Sequence, residues 1–157
     1  MNTAKDYLRM AIDLARRNVV ERGGRPFGAV LVRNATVLAT GVNDILATGD
    51  PSAHAEMQAI RAAAAALANP RLDGCAMYAS GHPCPMCLSA MHMVGVGEVY
   101  YAYSNEDAER FGLSTARIYA EMAKPLSEQS IRIEHVPVRG DGDDPYEAWQ
   151  RVAQAAP

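Results

Sequence analysis

Apolar positions along the chain change period several times, and each change marks an element. Leu8, Ala11, Ile12, Ala15 and Val19 recur every three or four residues, which predicts an amphipathic helix from Ala4 to Val20. Thr3 stands where its cap belongs, and Gly23-Gly24 stands where it should stop. Gly28 to Val32 is an apolar run too short for a helix and predicts a buried strand. Asn34-Ala35 then turns the chain into a return strand, Thr36 to Gly41. Asn43 to Pro51 is polar and loop-like. A second helix is expected from Ser52 or Ala53 to just before Asn69-Pro70, through the helix-favouring run Ala62 to Ala66.

Cys75 to Ala79 predicts a third strand. Pro83 to Met93 predicts a helix, since its prolines fall at the start, where a missing N–H costs nothing. Val99 to Tyr103 predicts a fourth strand, and Asn105 to Ala123 helix in pieces, broken around Gly112. Ile131 to Val138 predicts a fifth strand and Pro145 to Ala155 a last helix. The order α-β-β-α-β-α-β-α-β-α implies an α/β fold, one mixed sheet of five strands with helices on both faces.

A chain of 157 residues is near the size of one domain, and its 49% hydrophobic and 21% charged residues suit a globular core. Fifteen basic against 18 acidic residues give a net charge of −3, which argues against a nucleic-acid partner gripped through its phosphates. Arg16-Arg17 is the one adjacent basic pair and reads as a solvated helix face. Lys5, Asp6 and Arg9 occupy the place an apolar signal segment would need, and no run approaches a membrane span. Three cysteines suit neither a disulfide framework nor an oxidising compartment, so a cytoplasmic location is expected.

The chemistry lies in two short motifs about 30 residues apart, His54-Ala55-Glu56 and Pro83-Cys84-Pro85-Met86-Cys87. Zinc takes nitrogen and sulfur donors in a tetrahedron. His54, Cys84 and Cys87 supply three, each at an expected helix start, where the helix dipole favours thiolates. A missing fourth protein ligand marks a catalytic site, in which a water becomes acidic enough to attack near neutral pH. Glu56 stands beside the donors as a proton carrier rather than a ligand. H-x-E followed by P-C-x-x-C is the signature of zinc deaminases. The rival, a structural site closed by Cys75, fits less well, because Cys75 opens an apolar strand. A redox role for Cys84 and Cys87 leaves His54 and Glu56 without work. His82 is a candidate for the site wall, His92 for a structural role, and His135 for the solvent face of its strand.

With these motifs the sequence resembles the cytidine deaminase superfamily, and within it the bacterial guanine deaminases. The narrower likeness runs through Arg25-Pro26-Phe27-Gly28, Gly41-Val42-Asn43, Asp50-Pro51-Ser52, Ile118-Tyr119, Lys124-Pro125 and Ala148-Trp149. It implies a three-layer α/β/α fold with a five-stranded sheet, one zinc ion per chain, and a homodimer that exchanges a C-terminal segment of about residues 140–157. The implied reaction is hydrolytic deamination of a free nucleobase, guanine first. Cytosine, an aminotriazine or a guanine nucleoside stands as an alternative, and adenosine in tRNA as a more distant one. Phe27 would lie on the base, Asn43 would read its edge, and the Ala55 N–H would hold a ring oxygen or nitrogen. The chain departs from the pattern at Ser114-Thr115, where relatives carry paired acidic residues, at His82, where glutamate is common, and at an end lacking the terminal aromatic. Asp107 or Glu109 is a candidate to supply the missing acid.

Overall fold

The computed structural model describes residues 2–155, which form two compact units divided between Ala123 and Lys124. The first begins with helix α1 (Ala4–Arg22), which starts in a capping box between Thr3 and Asp6 and ends at left-handed Gly23. Strands β1 (Gly28–Arg33) and β2 (Thr36–Val42) make an antiparallel hairpin. Its two turn residues, Asn34 and Ala35, both have positive φ, as a tight hairpin turn requires. A short helix α2 (Ile45–Thr48) interrupts the polar loop, and α3 (Ala55–Leu67) follows. Then come β3 (Cys75–Gly81), α4 (Pro85–Val94), β4 (Glu98–Tyr103), α5 (Asn105–Glu109) and α6 (Ala116–Met122).

The sheet order is β2-β1-β3-β4, with β1 antiparallel to both neighbours and β3 parallel to β4. Alternation along β1 divides the core. Ala29 and Leu31 pack with Ala55, Ala59, Ile60, Met77 and Met91 beneath α3 and α4. Val30 and Val32 pack with Tyr7, Ala11 and Tyr78 beneath α1. A sheet covered on both faces is the three-layer α/β/α arrangement expected from the element order. Gly41 lets α3 settle directly on β2, since a Cβ there would run into the Ala55 carbonyl and come within 2.7 Å of the Ala59 nitrogen. The first turn of α3, which carries the His-Ala-Glu motif, is therefore fixed against the sheet.

The sheet has four strands among the described residues, not five. Residues 131–138 form no regular element and join no ladder, with Ile131, Ile133, Val136 and Val138 between 50% and 76% exposed. Ile131 and Ile133 alternate with polar residues as a strand would, but alternation states only which side is apolar. A strand also needs a neighbour for its backbone N–H and C=O groups. The second unit otherwise holds a 3-10 turn (Leu126–Glu128) and helix α7 (Pro145–Ala155), where Tyr146, Trp149 and Val152 are exposed. No described helix is long and apolar enough to cross a membrane.

Candidate active site

Two helix starts build the site. His54 is the N-cap of α3 and Cys84 the N-cap of α4, both with extended backbone, and Cys87 lies in the first turn of α4 behind Pro85. Their donor atoms converge: Cys84 Sγ and Cys87 Sγ are 3.6 Å apart, and His54 Nδ1 lies 3.5 Å from the first and 3.6 Å from the second. A tetrahedral zinc ion with ordinary bond lengths spaces two sulfurs by about 3.8 Å and a sulfur and nitrogen by about 3.6 Å. The three side chains therefore fit zinc, with Nδ1 as the nitrogen donor. Cys75 is buried in the core beneath α3 and outside this cluster, so the four-ligand structural site is not formed.

Glu56, in the first turn of α3, is 7% exposed, and the Cys87 thiol donates to its Oε2 at 3.4 Å. Burial pushes the Glu56 carboxyl above the usual carboxylate range. The Cys84 thiol is drawn down to about 4, first by the hydrogen bond from Cys87 and further by His54, while Cys87 is raised by the same pairing. The His54 imidazole is raised, mainly by its hydrogen bond with Cys84.

A cavity of about 190 Å³ opens on this group. Its wall comprises Arg25, Phe27, Asn43, His54, Glu56, His82, Cys84 and the segment Gly112 to Thr115. Of the residues expected to meet a base, Phe27 and Asn43 line it. Ala55 does not, being fully buried between His54 and Glu56. Asn43 Oδ1 accepts the Ile45 N–H at 3.3 Å, which turns its amide NH₂ into the donor left for a ligand. His82 lines the cavity with its ring stacked on Tyr101 at 4.5 Å. His92 is exposed and does not line it, and His135, in the second unit, is exposed. Asp107 is occupied in capping α5 with Ser104, and neither it nor Glu109 reaches this wall.

Two contacts escaped the sequence reading. Tyr119 donates its hydroxyl to the Pro83 carbonyl at 2.5 Å, next to the ligand Cys84, and its ring meets His82 at 5.3 Å. Ile118-Tyr119 stood out only as part of a family likeness. Asn105 Oδ1 accepts both the N–H of Thr115, at 3.0 Å, and its hydroxyl, at 3.3 Å. Asn105 opens α5 and Thr115 caps α6, and two helix starts ten positions apart give no periodic signal that would pair them.

A sheet clad on both faces, with one imidazole and two thiols gathered at adjacent helix starts beside a buried carboxyl, defines a zinc-dependent hydrolytic deaminase. A family model described as the cytidine and deoxycytidylate deaminase zinc-binding region matches residues 1–103, and the chain belongs to that family. It is 38% identical to the guanine deaminase of Bacillus subtilis over 147 residues, 94% of each chain. The structure of that enzyme superposes with a TM-score of 0.86 over 96% of this chain and 95% of the other. A tRNA-specific adenosine deaminase of Aquifex aeolicus is 29% identical, over 84% of each chain. A guanine deaminase structure from Nitrosomonas europaea, 27% identical, matches with a TM-score of 0.67 over 73% of this chain and 66% of that one.

Proposed function

We propose that this protein hydrolyses guanine to xanthine and ammonia. The observation that carries the reading is the convergence of Phe27, Asn43, Glu56 and the metal donors on one small cavity, in a chain that matches a guanine deaminase over nearly its full length. The cavity is small beside those that take drug-sized ligands, which suits a free base.

His54, Cys84 and Cys87 hold the zinc ion, which when bound makes a water nucleophilic at neutral pH. Phe27 lays its ring against the base, where an aromatic face suits a flat heterocycle. The Asn43 NH₂ donates to the ring carbonyl. Glu56 takes a proton from the attacking water and gives it to the ring nitrogen beside the reacting carbon. A second proton follows the same route to the amino group, which leaves as ammonia as the C–N bond breaks and the carbonyl forms. Burial of Glu56 raises its affinity for the proton it carries between these steps.

Thr115 takes the place of an acidic residue as a neutral acceptor. Its hydroxyl proton is turned toward Asn105 Oδ1, which leaves lone pairs for a substrate N–H. Ammonia release from guanine, guanosine, cytosine and an aminotriazine tests the assignment. Guanine is expected to lead the others by at least about a hundredfold in kcat/KM, the discrimination a polar site achieves over a ligand that leaves its buried groups unpaired. Turnover of another member with guanine inert would overturn it.

The protein acts as a cytoplasmic homodimer on a small heterocycle, in this reading, with residues 1–157 forming one deaminase domain whose C-terminal segment, about 140–157, is exchanged between subunits. Two features support the exchange. β4 ends the described sheet with Tyr100, Tyr101 and Tyr103 exposed, and residues 131–138 and α7 carry exposed apolar side chains, among them Ile131, Val138, Tyr146 and Trp149. Sedimentation should give a dimer, and Trp149→Ala, which removes the largest exposed apolar group of α7, should shift it toward monomer. A monomeric parent protein would refute the exchange.

A further inference from the structure

Asn18 is a buried amide that does not line the cavity, and its position has a purpose. It lies on α1, 2% exposed, and its Nδ2 donates to two backbone carbonyls, Arg25 at 2.9 Å and Asn43 at 2.9 Å. Both amide hydrogens are thus spent on the two loops that carry donor side chains to the cavity. The fit is close: a Cβ on Gly24 would lie 2.8 Å from Asn18 Cγ. The Arg25 carbonyl also accepts the Phe27 N–H at 2.9 Å, and the Asn43 N–H donates to the Phe27 carbonyl at 3.1 Å. Arg25, Phe27 and Asn43 are therefore one backbone unit anchored on one buried side chain.

The guanidinium at the end of this unit is uncommitted. No hydrogen bond or ion pair engages the Arg25 side chain among the described residues, whereas Arg9, Arg16, Arg17 and Arg22 each meet a carboxylate. It lines the site cavity. Among the described residues Glu56 is the one carboxylate on the cavity wall, and it is taken up by the Cys87 thiol. An arginine offered to a cavity without a free carboxylate asks its ligand for acceptors, and its planar fork suits two of them side by side. The oxo-purine edge offers that pair, the carbonyl oxygen and the adjacent five-ring nitrogen, and an arginine fork on it is the commonest specific contact made to guanine.

We propose that Arg25 is a specificity-determining residue that, beside the Asn43 amide and on a loop fixed by Asn18, reads the carbonyl-and-nitrogen edge of an oxo-purine. The assignment rests on the guanine reading. It separates guanine from 2-aminopurine, which presents the same amino group for hydrolysis and lacks the carbonyl.

The test compares the wild-type enzyme with Arg25→Ala, Arg25→Lys and, as a charge control, Arg17→Ala, whose side chain is paired with Glu21 on the surface of α1. All are zinc-loaded and checked for the same melting temperature. The KM for guanine and the competitive inhibition constant of 2-aminopurine are measured for each. Arg25→Ala is expected to raise the guanine KM by roughly 10- to 100-fold, with the 2-aminopurine constant moving less than about threefold. Arg25→Lys should recover only part of the loss, because a point charge cannot engage both acceptors. Arg17→Ala should match the wild type. An unchanged guanine KM in Arg25→Ala, or equal shifts for both ligands, would overturn the assignment while leaving the guanine reading intact. A wild-type enzyme inert toward guanine would overturn both.

Discussion

Glu56→Gln is expected to bind one zinc ion per chain and to turn over guanine about a hundred- to ten-thousandfold more slowly than the wild type, the range that a positioned acid–base group supplies. Glutamine has the shape of glutamate and keeps the contact with α4, where Glu56 Oε2 lies 3.4 Å from Cys87 Sγ. It cannot carry a proton between the water and the leaving amine. The loss should therefore fall on kcat, with KM nearly unchanged, as for an interaction made only in the transition state. Metal analysis with initial rates of ammonia release checks both halves. A zinc-loaded variant with the wild-type kcat would remove Glu56 from the reaction.

Removal of the metal should be the next largest effect. Cys87→Ser, or chelation of the wild-type protein, is expected to abolish turnover and to lower the melting temperature by about 10 °C. The donors come from the starts of two separate helices, α3 and α4, which a zinc ion held by all three would tie together beyond their packing in the core. A ligand present at a thousand times its dissociation constant stabilises the folded state by about 4 kcal/mol. For a chain of this size each kcal/mol moves the midpoint by about 2–4 °C. Cys75→Ser should leave the zinc content unchanged, since Cys75 stands in the core rather than at the site. Thermal melts with and without chelator read the difference directly. A melting temperature indifferent to zinc would mean that the cluster contributes nothing to holding α3 and α4 together.

The metal donors and the buried carboxyl beside them were legible because their spacing is local. Cys84 and Cys87 share one helical turn, and Glu56 follows His54 by two residues, so sequence distance stands in for geometry. The sheet strands were legible for a similar reason: β1 to β4 each bring apolar runs of strand length bounded by turns. The expected fifth strand failed because Ile131 and Ile133 show the right alternation without naming a pairing partner, and the described sheet ends at β4. The role of Asn18 was equally hidden. On α1 it reads as one polar position among many, and only the fold reveals that its amide spans the loops at Arg25 and Asn43. Tyr119 and the Asn105–Thr115 pair depend in the same way on chain reversals that periodicity does not record. Asn43 was legible only as part of a likeness, and the fold adds that its oxygen accepts the Ile45 N–H while the side chain stands on the cavity wall.

The most direct test of hydrolytic deamination is to incubate the zinc-loaded protein with guanine in water enriched in heavy oxygen and to weigh the product. The site geometry predicts xanthine carrying one heavy oxygen atom, one ammonia released for each xanthine formed, and neither product after chelation. Ammonia without the labelled oxygen in xanthine, or no conversion of guanine by the fully zinc-loaded enzyme, would contradict it.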